Sequence, residues 1–567
     1  MNEKIINRHN FILNLFALFI LFLLLLITRL TFASRFLFEW DSIHFAYAIK
    51  KFDILWHTPH PPGYIFYVLL ARLFNYIVHD PNKALILLNI FFSWVTILIV
   101  LRLAKLIFSR KHSWISGVFL FFNPLLWFYG SVAAIYSTEA FVGALVGYIS
   151  WLNIKHDSLS LYWGALAFGI CGGLRQFTLM LLFPLWIYSV FIRSKTKLNF
   201  FFAILLFLSG VILWLLPTLI MAGGWKSYWA SSSGQSQGGI DKLTNYFGNI
   251  IKYYFSNTLN MSIWIIFLTG LIGVIIILPV ILNWLKKRKF SEIVKKEKFR
   301  FFLLWIIPPF LFYFFVFCDK PGYLLLISPA IALLFGWSLI DLSKKFSKVK
   351  GRRILIFCVV FYVFLNSAWF LFPNKSSTAQ PFFSYANTNL PLPPRSDYVW
   401  DISVREIRSA DRQIDQLKRL FSSGSVSNMK ITPQNTVFFS KGGTPNWRRL
   451  SFYFPDFMNI WLVDQEDSGL SHFGAEAYYS KNGKVWSQTG LPFWINGKRP
   501  QIIVIDLPAE TRMIFWYVSP KMKFFKSLKE KKLISGIIPL ISDRQNIPFY
   551  KLKPQENISV SIFSIKN

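Results

Sequence analysis

Charged residues, acids above all, are scarce in this chain, and so are cysteines. Only 16% of its 567 residues are charged, whereas a soluble globular domain carries about a quarter. That shortfall argues against a wholly soluble protein and for one that faces lipid. The three cysteines, Cys171, Cys318 and Cys358, lie within or beside apolar runs. They make no metal-binding spacing and no disulfide framework, and are expected as small packing residues. Asp and Glu number 27 against 61 Lys and Arg, for a net charge of +34. Such an excess can mean nucleic acid. Here the cations sit in short clusters between apolar runs, as in cytoplasmic membrane loops that favour anionic lipid, so no nucleic-acid partner is expected.

What the chain has in abundance is apolar surface: 54% of residues are hydrophobic, and 61 are Phe. Runs near the length needed to span recur at 11–30, 84–104, 114–131, 139–153, 159–174, 177–192, 200–220, 261–284, 301–317, 323–341 and 354–372. With about 20 apolar residues per crossing, this predicts about eleven transmembrane helices. The first run follows Lys4 and Arg8, is longer than a signal-peptide core of about 7–15 residues, and precedes no small-residue cleavage site, so it reads as a retained helix. The segment 64–78 is ambiguous, being short and carrying Arg72 and Asn75. If it does not span, the clusters Arg102/Lys105/Arg110/Lys111, Arg193/Lys195/Lys197, Lys286–Arg300 and Lys344–Arg353 all share a side with Lys4 and Arg8. That obeys the positive-inside rule, so 64–78 is expected as an amphipathic helix at the outer interface. The expected placement is a multi-pass plasma-membrane protein with its N-terminus cytoplasmic.

The outer face then carries a first loop over about 31–83, a loop of about 222–260 rich in Gly and Ser, and everything beyond about 373. The Gly/Ser loop reads equally as a lid or as a linker. After Pro373 the apolar runs shorten and Pro, Ser and charges return, with Pro391–Pro394 as a linker. A helical pattern over 402–421 and strands at Thr436–Ser440, Ile502–Asp506, Ile514–Val518 and Ser559–Ile565 predict an extracytoplasmic α/β domain. Ile502–Ile505, apolar at consecutive positions, is expected to be buried on both faces. The boundary divides 1–372, a membrane catalytic domain, from 373–567, which reads as a binding or docking module.

Four polar features stand out. The first loop reads Glu39-Trp40-Asp41-Ser42-Ile43-His44, then His57-Thr58-Pro59-His60-Pro61-Pro62-Gly63-Tyr64. Asp41 and His44, three apart, share a helix face. The second is Ala134-Ile135-Tyr136-Ser137-Thr138-Glu139, the third Gly172-Gly173-Leu174-Arg175-Gln176, and the fourth Asp319-Lys320-Pro321-Gly322-Tyr323. Ionisable residues in or near a bilayer are expensive and usually mark a site. The plain readings are a structural Glu139–Arg175 ion pair, interfacial anchors at Asp319 and Lys320, and packing histidines. Two acids and two cations on one face of the membrane favour a site.

The order of these motifs resembles the GT-C superfamily of membrane glycosyltransferases over about residues 1–370. It looks closest to the family 39-like and DUF2723-like branch, relatives of the protein O-mannosyltransferases and the lipid A aminoarabinose transferase. The resemblance implies a polyprenyl-phosphate sugar donor used outside the cytoplasm and an acceptor that is a glycan, lipid or protein. It matches Asp41 to the first-loop catalytic acid, Glu139 to the second acidic position, and the Lys320/Tyr323 turn to the donor phosphate. Two positions depart: Ser42 follows Asp41 where many relatives have a second acid, and His60 stands where the aminoarabinose branch has lysine. Some relatives use a divalent metal; no ligand cluster here calls for one, and no other cofactor is expected. The chemistry asks for a carboxylate to deprotonate the acceptor and cations to receive the departing phosphate. Asp41, Glu139 and His44 are therefore the catalytic candidates, and Arg175, Lys320, Tyr323 and His60 the phosphate-binding ones. The competing readings are a transporter or flippase, a membrane scaffold displaying its tail, and a polysaccharide polymerase or ligase. The first would place charges at helix midpoints and show paired halves, and the sequence has neither.

Overall fold

Helices form where the sequence supplies long apolar stretches. The computed structural model describes residues 2–54, 58–155, 160–229, 231–232, 250–286, 296–318, 320–371, 402–423, 425–426, 429–430, 432–440, 447–462, 477–481, 484–487, 502–506, 513–517, 534–540, 547–552 and 559–563. Most of the Gly/Ser loop, the Pro391–Pro394 linker, His57 and Asp319 lie outside the described residues. The chain divides into two compact units, one built from 1–35, 64–217 and 249–407, the other from 36–63, 218–248 and 408–567.

The first unit is helical. Pro81–Ile107 is its central helix, packed against Asn2–Leu30, Ile65–Val78, Arg110–Phe121 and Tyr136–Ile154. It starts on Asp80, whose carboxylate accepts from the backbone N–H groups of Asn82 (2.9 Å) and Lys83 (3.1 Å). Pro81 opens its first turn, where a missing N–H costs nothing. At 1.5 Å per residue the helix is about 40 Å long, enough to cross a bilayer. Lys197–Met221, Glu297–Phe315, Pro321–Ser343 and Lys348–Leu371 are also long and apolar enough to cross. Phe16–Leu30, Ile65–Val78, Ser160–Cys171 and Phe177–Arg193 are shorter apolar helices. The protein is a multi-pass membrane protein.

Two expected spans prove discontinuous. The run 114–131 breaks into Arg110–Phe121 and Pro124–Gly130, because Asn123 precedes a proline and is extended. The run 261–284 breaks between Thr269 and Gly273 with a bend of 95°. Gly270 makes this possible: its φ is +71°, and a Cβ there would lie 2.4 Å from the Tyr362 ring. The backbone freed at the break finds partners inside the protein, as a membrane interior requires. Asn123 Nδ2 donates to the carbonyls of Phe267 (3.2 Å) and Leu268 (2.7 Å), and Asn366 Oδ1 accepts from the Leu271 N–H (3.1 Å). The Ile65–Val78 helix forms where expected. It buries Ile65, Tyr67, Val68 and Ala71 and leaves Leu69, Leu73, Tyr76 and Ile77 exposed.

The second unit carries a seven-stranded mixed sheet. Its strand order is Lys484–Ser487, Ala477–Lys481, Met458–Leu462, Thr436–Ser440, Met513–Tyr517, Ile547–Leu552, Ile534–Leu540. Thr436–Ser440 is parallel to both neighbours, and the outer pairs are antiparallel. Strands fall at or within a residue or two of all four expected positions. Ile502–Asp506 pairs antiparallel with Ser559–Phe563 in a separate two-stranded sheet among the described residues, and the burial expected of its two faces falls on side chains outside that description. A run of apolar residues cannot by itself distinguish a central strand from such a pair.

This unit also contains the first-loop helix, Trp40–Lys50, packed on Trp447–Tyr453. The Leu37 N–H donates to Tyr453 Oη (2.7 Å) and the Phe36 N–H to Asp411 Oδ1 (3.2 Å). Tyr47 Oη and Ser451 Oγ lie 3.3 Å apart. Burial raises the Tyr47 phenol above its ordinary pKa, against the opposing pull of Ser451 and the Arg448 charge.

Candidate active site

Seven residues were expected from the sequence to carry chemistry, and they gather into two clusters, one in each unit. In the second unit, a capping box of Glu39 and Ser42 starts the Trp40–Lys50 helix, with the Glu39 N–H donating to Ser42 Oγ at 3.3 Å. Ser42, which stands where many GT-C sequences have a second acid, thus closes the helix start. Asp41 lies in the first turn, where the helix dipole favours a carboxylate. Its side chain remains 23% exposed. His60 projects from the proline-rich turn. That turn is fixed by reciprocal backbone bonds between Asp53 and Thr58 (2.7 and 2.9 Å) and by Tyr228 Oη donating to the Pro62 carbonyl (3.3 Å). Gly63 closes the turn with φ +115°, donating to the His60 carbonyl; a Cβ would sit 2.9 Å from Ile54 Cδ1. The result brings His60 Nδ1 to 3.9 Å from Asp41 Oδ1. The buried His44 ring lies 5.5 Å from His60 and 5.6 Å from Trp40. Asp41, His44 and His60 therefore form one group.

In the first unit, Asn89 Nδ2 donates to the carbonyls of Val132 (2.9 Å) and Ala134 (2.6 Å). This fixes the turn that enters Tyr136–Ile154 and sets Glu139 in its first turn. Gly172 and Gly173 allow a second turn to pack tightly, since a Cβ on Gly173 would meet Phe66 at 2.3 Å and Trp214 at 2.7 Å. The Phe66 N–H donates to the Gly173 carbonyl (2.9 Å), and Thr178 Oγ1 to the Arg175 carbonyl (2.6 Å). Arg175 Nε then meets Glu139 Oε1 at 2.5 Å, with the Glu139 side chain fully buried. Tyr313 Oη donates to Glu139 Oε2 at 3.4 Å.

Aromatic rings surround this ion pair. The Arg175 guanidinium lies 5.2 Å from the rings of Tyr136 and Tyr323 and 6.0 Å from Tyr64, all within cation–π reach. Tyr323 stacks on Tyr313 at 5.1 Å. Lys320 Nζ stands 5.9 Å from the Tyr136 ring, which Arg175 also approaches. Gly322 lets the 3-10 turn Pro321–Ile327 close on Tyr136, which a Cβ would approach to 2.3 Å. Glu139, Arg175, Lys320 and Tyr323 therefore form the second group: two cations and one acid within an aromatic wall. Among the described residues, no group of three His, Cys, Asp or Glu side chains is arranged to hold a metal ion.

Tyr313, which meets both Glu139 and Tyr323, escaped sequence reasoning, since it lies inside an apolar run with nothing local to mark it.

Residues 52–199 match the family model described as protein O-mannosyl-transferase TMEM260 N-terminal domain. The matched stretch includes His60, Glu139 and Arg175, and begins after Asp41 and His44. No curated protein matches the chain in sequence. The fold is shared with ArnT from Cupriavidus metallidurans, both bound to undecaprenyl phosphate and in the apo state. The TM-score is 0.52 in each case, at 13% and 12% identity, over 94% of this chain and 97% of that one. A weaker likeness, at a TM-score of 0.36 and 13% identity, runs to the Archaeoglobus fulgidus oligosaccharyltransferase complex with zinc and sulfate, over 62% of this chain and 52% of that one. The GT-C resemblance carried by the sequence motifs is thus borne out by a family model over 52–199 and by a fold that spans nearly the whole chain.

Proposed function

We propose that the protein is an integral-membrane glycosyltransferase that moves a sugar from a polyprenyl-phosphate donor to an acceptor on the extracytoplasmic side, with inversion at the anomeric carbon. The observation that supports this reading best is the contrast in exposure between the two acids. Asp41 keeps 23% of its side chain exposed and lies 3.9 Å from His60, whereas the Glu139 side chain is fully buried against Arg175. A base must reach an incoming hydroxyl, and Asp41 can. The neighbour's bound undecaprenyl phosphate supports a lipid-phosphate donor.

In this reading the Asp41 carboxylate takes the acceptor proton as the acceptor oxygen bonds to the anomeric carbon. The bond from that carbon to the phosphate oxygen breaks, and polyprenyl phosphate leaves as an anion. Arg175 and Lys320 receive the growing negative charge, with Tyr323 and His60 as hydrogen-bond partners. Glu139 holds Arg175 in place, and His44 supports His60. The domain division at about 372 and the cytoplasmic N-terminus belong to the same proposal.

Incubation of wild type and Asp41→Asn with radiolabelled polyprenyl-phosphate sugars tests it. Wild type should transfer label and the variant should not, with equal expression and melting temperature. Near-normal turnover by the variant would remove Asp41 from its role. Label transferred by neither protein, but carried across vesicle membranes, would favour the flippase reading.

A further inference from the structure

The Gly172–Gln176 turn supplies more than Arg175. Gln176 is the residue that precedes the Phe177–Arg193 helix, yet its side chain makes no capping bond to it. Both polar atoms of the amide, Oε1 and Nε2, are buried, and neither has a hydrogen-bond partner among the described residues. Leaving one buried polar atom unpaired is costly, and native proteins rarely tolerate it without a functional reason. Here both ends of one side chain are unpaired, in the residue that follows Arg175, the cation of the proposed donor site, in the chain.

The two ends differ in what they need. Oε1 accepts a hydrogen bond and Nε2 donates one. A phosphate ester at neutral pH offers acceptors only, and would satisfy Nε2 while leaving Oε1 orphaned. A lipid chain offers nothing. A sugar ring offers hydroxyl groups, each a donor and an acceptor, and vicinal hydroxyls match an amide at both atoms. We infer that Gln176 binds the hydroxyl groups of the transferred sugar and is a specificity-determining residue of the donor site, next to the phosphate-binding Arg175. This rests on the glycosyltransferase reading above and adds to it a division of labour within one turn: Arg175 for phosphate, Gln176 for sugar.

The inference makes a demand that a structural glutamine would not meet. Replacing an unpaired buried amide by an apolar group of similar size should stabilise the unliganded protein, while the same change weakens sugar binding. The test is thermal unfolding of the full-length detergent-solubilised protein, as wild type, Gln176→Leu and Gln176→Met. Each is measured alone, with undecaprenyl phosphate, and with undecaprenyl phosphate linked to glucose, mannose or aminoarabinose. Wild type should rise with undecaprenyl phosphate and rise further with at least one of the sugar-linked lipids. Both variants should melt higher than wild type alone, keep the rise given by undecaprenyl phosphate, and lose the increment due to sugar, with at least a tenfold weaker affinity for that donor. Retention of the sugar increment in the variants overturns the inference, as does a lower melting temperature of both unliganded variants. A wild-type response to undecaprenyl phosphate with no increment for any sugar also overturns it, and leaves the glycosyltransferase reading standing. No response of wild type to any of these lipids counts against that reading itself, and this inference falls with it.

Discussion

The Asp41–His60 group and the Glu139–Arg175 group both join an acid to a cation, and they are built on opposite principles. Asp41 is partly solvated and 3.9 Å from a histidine that gains charge only on protonation. Glu139 is fully buried, 2.5 Å from a permanent cation and within reach of the Tyr313 hydroxyl. An ion pair of the second kind is expensive to create and more expensive to break in half. A carboxylate of the first kind can be reached by an incoming hydroxyl. The difference separates a group suited to chemistry from a group suited to holding a cation in a fixed place.

That contrast is open to direct attack. The largest expected effect is on turnover: Asp41→Asn should lower it by roughly 10²–10⁴-fold, as for loss of a general base, with the unfolding transition unchanged. Glu139→Ala should show the reverse weighting. It leaves Arg175 buried without its acid, and chemical denaturation should reveal a loss of about 3–5 kcal/mol. A Glu139→Ala protein as stable as wild type would mean that the pair does not hold in solution. The combined Glu139→Met and Arg175→Met protein should regain most of that stability, because an apolar replacement of a buried pair is often neutral or better. It should remain inactive, since the proposed phosphate ligand has gone; recovered transfer would show Arg175 to be dispensable.

The sequence was informative where the determinants are local. The helix 65–78 and the turn before it follow from neighbours within a few positions, while the caps at Asp80 and around Glu39, though equally local, were not among the expectations. The two broken helices were harder. A hydropathy run continues through Asn123–Pro124 and through Gly270, and only distant partners such as Asn366 and Tyr362 show that the backbone turns there. Pairing of Glu139 with Arg175 was legible as one of two readings, because both stand at membrane turns. The contribution of Tyr313 was not, since one hydroxyl in an aromatic run carries no local signature. The bed of the Asp41 helix was invisible for the same reason: Ser451 and Tyr453 lie some four hundred residues away in the chain.

Smaller effects test that bed and a position remote from both clusters. Tyr453→Phe removes the hydroxyl that accepts from the Leu37 N–H, and should cost about 1–3 kcal/mol by denaturant titration, with turnover lowered through displacement of the Asp41 helix. An unchanged transition would mean that water replaces the bond. His112, at the start of Arg110–Phe121, is held down at about 4 by burial and by the charges of Lys344 and Lys298. The folded state keeps this ring neutral, while the unfolded chain protonates near the ordinary value of 6.5. Its contribution is therefore complete above about pH 6.5 and declines as pH falls toward 4. His112→Gln should flatten the pH dependence of stability in that window, and an identical slope would show that other groups set it.

The bond from Leu37 to Tyr453 closes a loop of 416 residues. Translation at about 5–20 residues per second puts about 20–80 s between the synthesis of these two ends. For that interval the nascent Trp40–Lys50 segment lacks the surface against which it packs. The first loop therefore reaches its packed form last, after the far end of the chain has been made. Ribosome-bound chains halted before residue 453 should accordingly be cut by protease within residues 36–50, and full-length chains should resist.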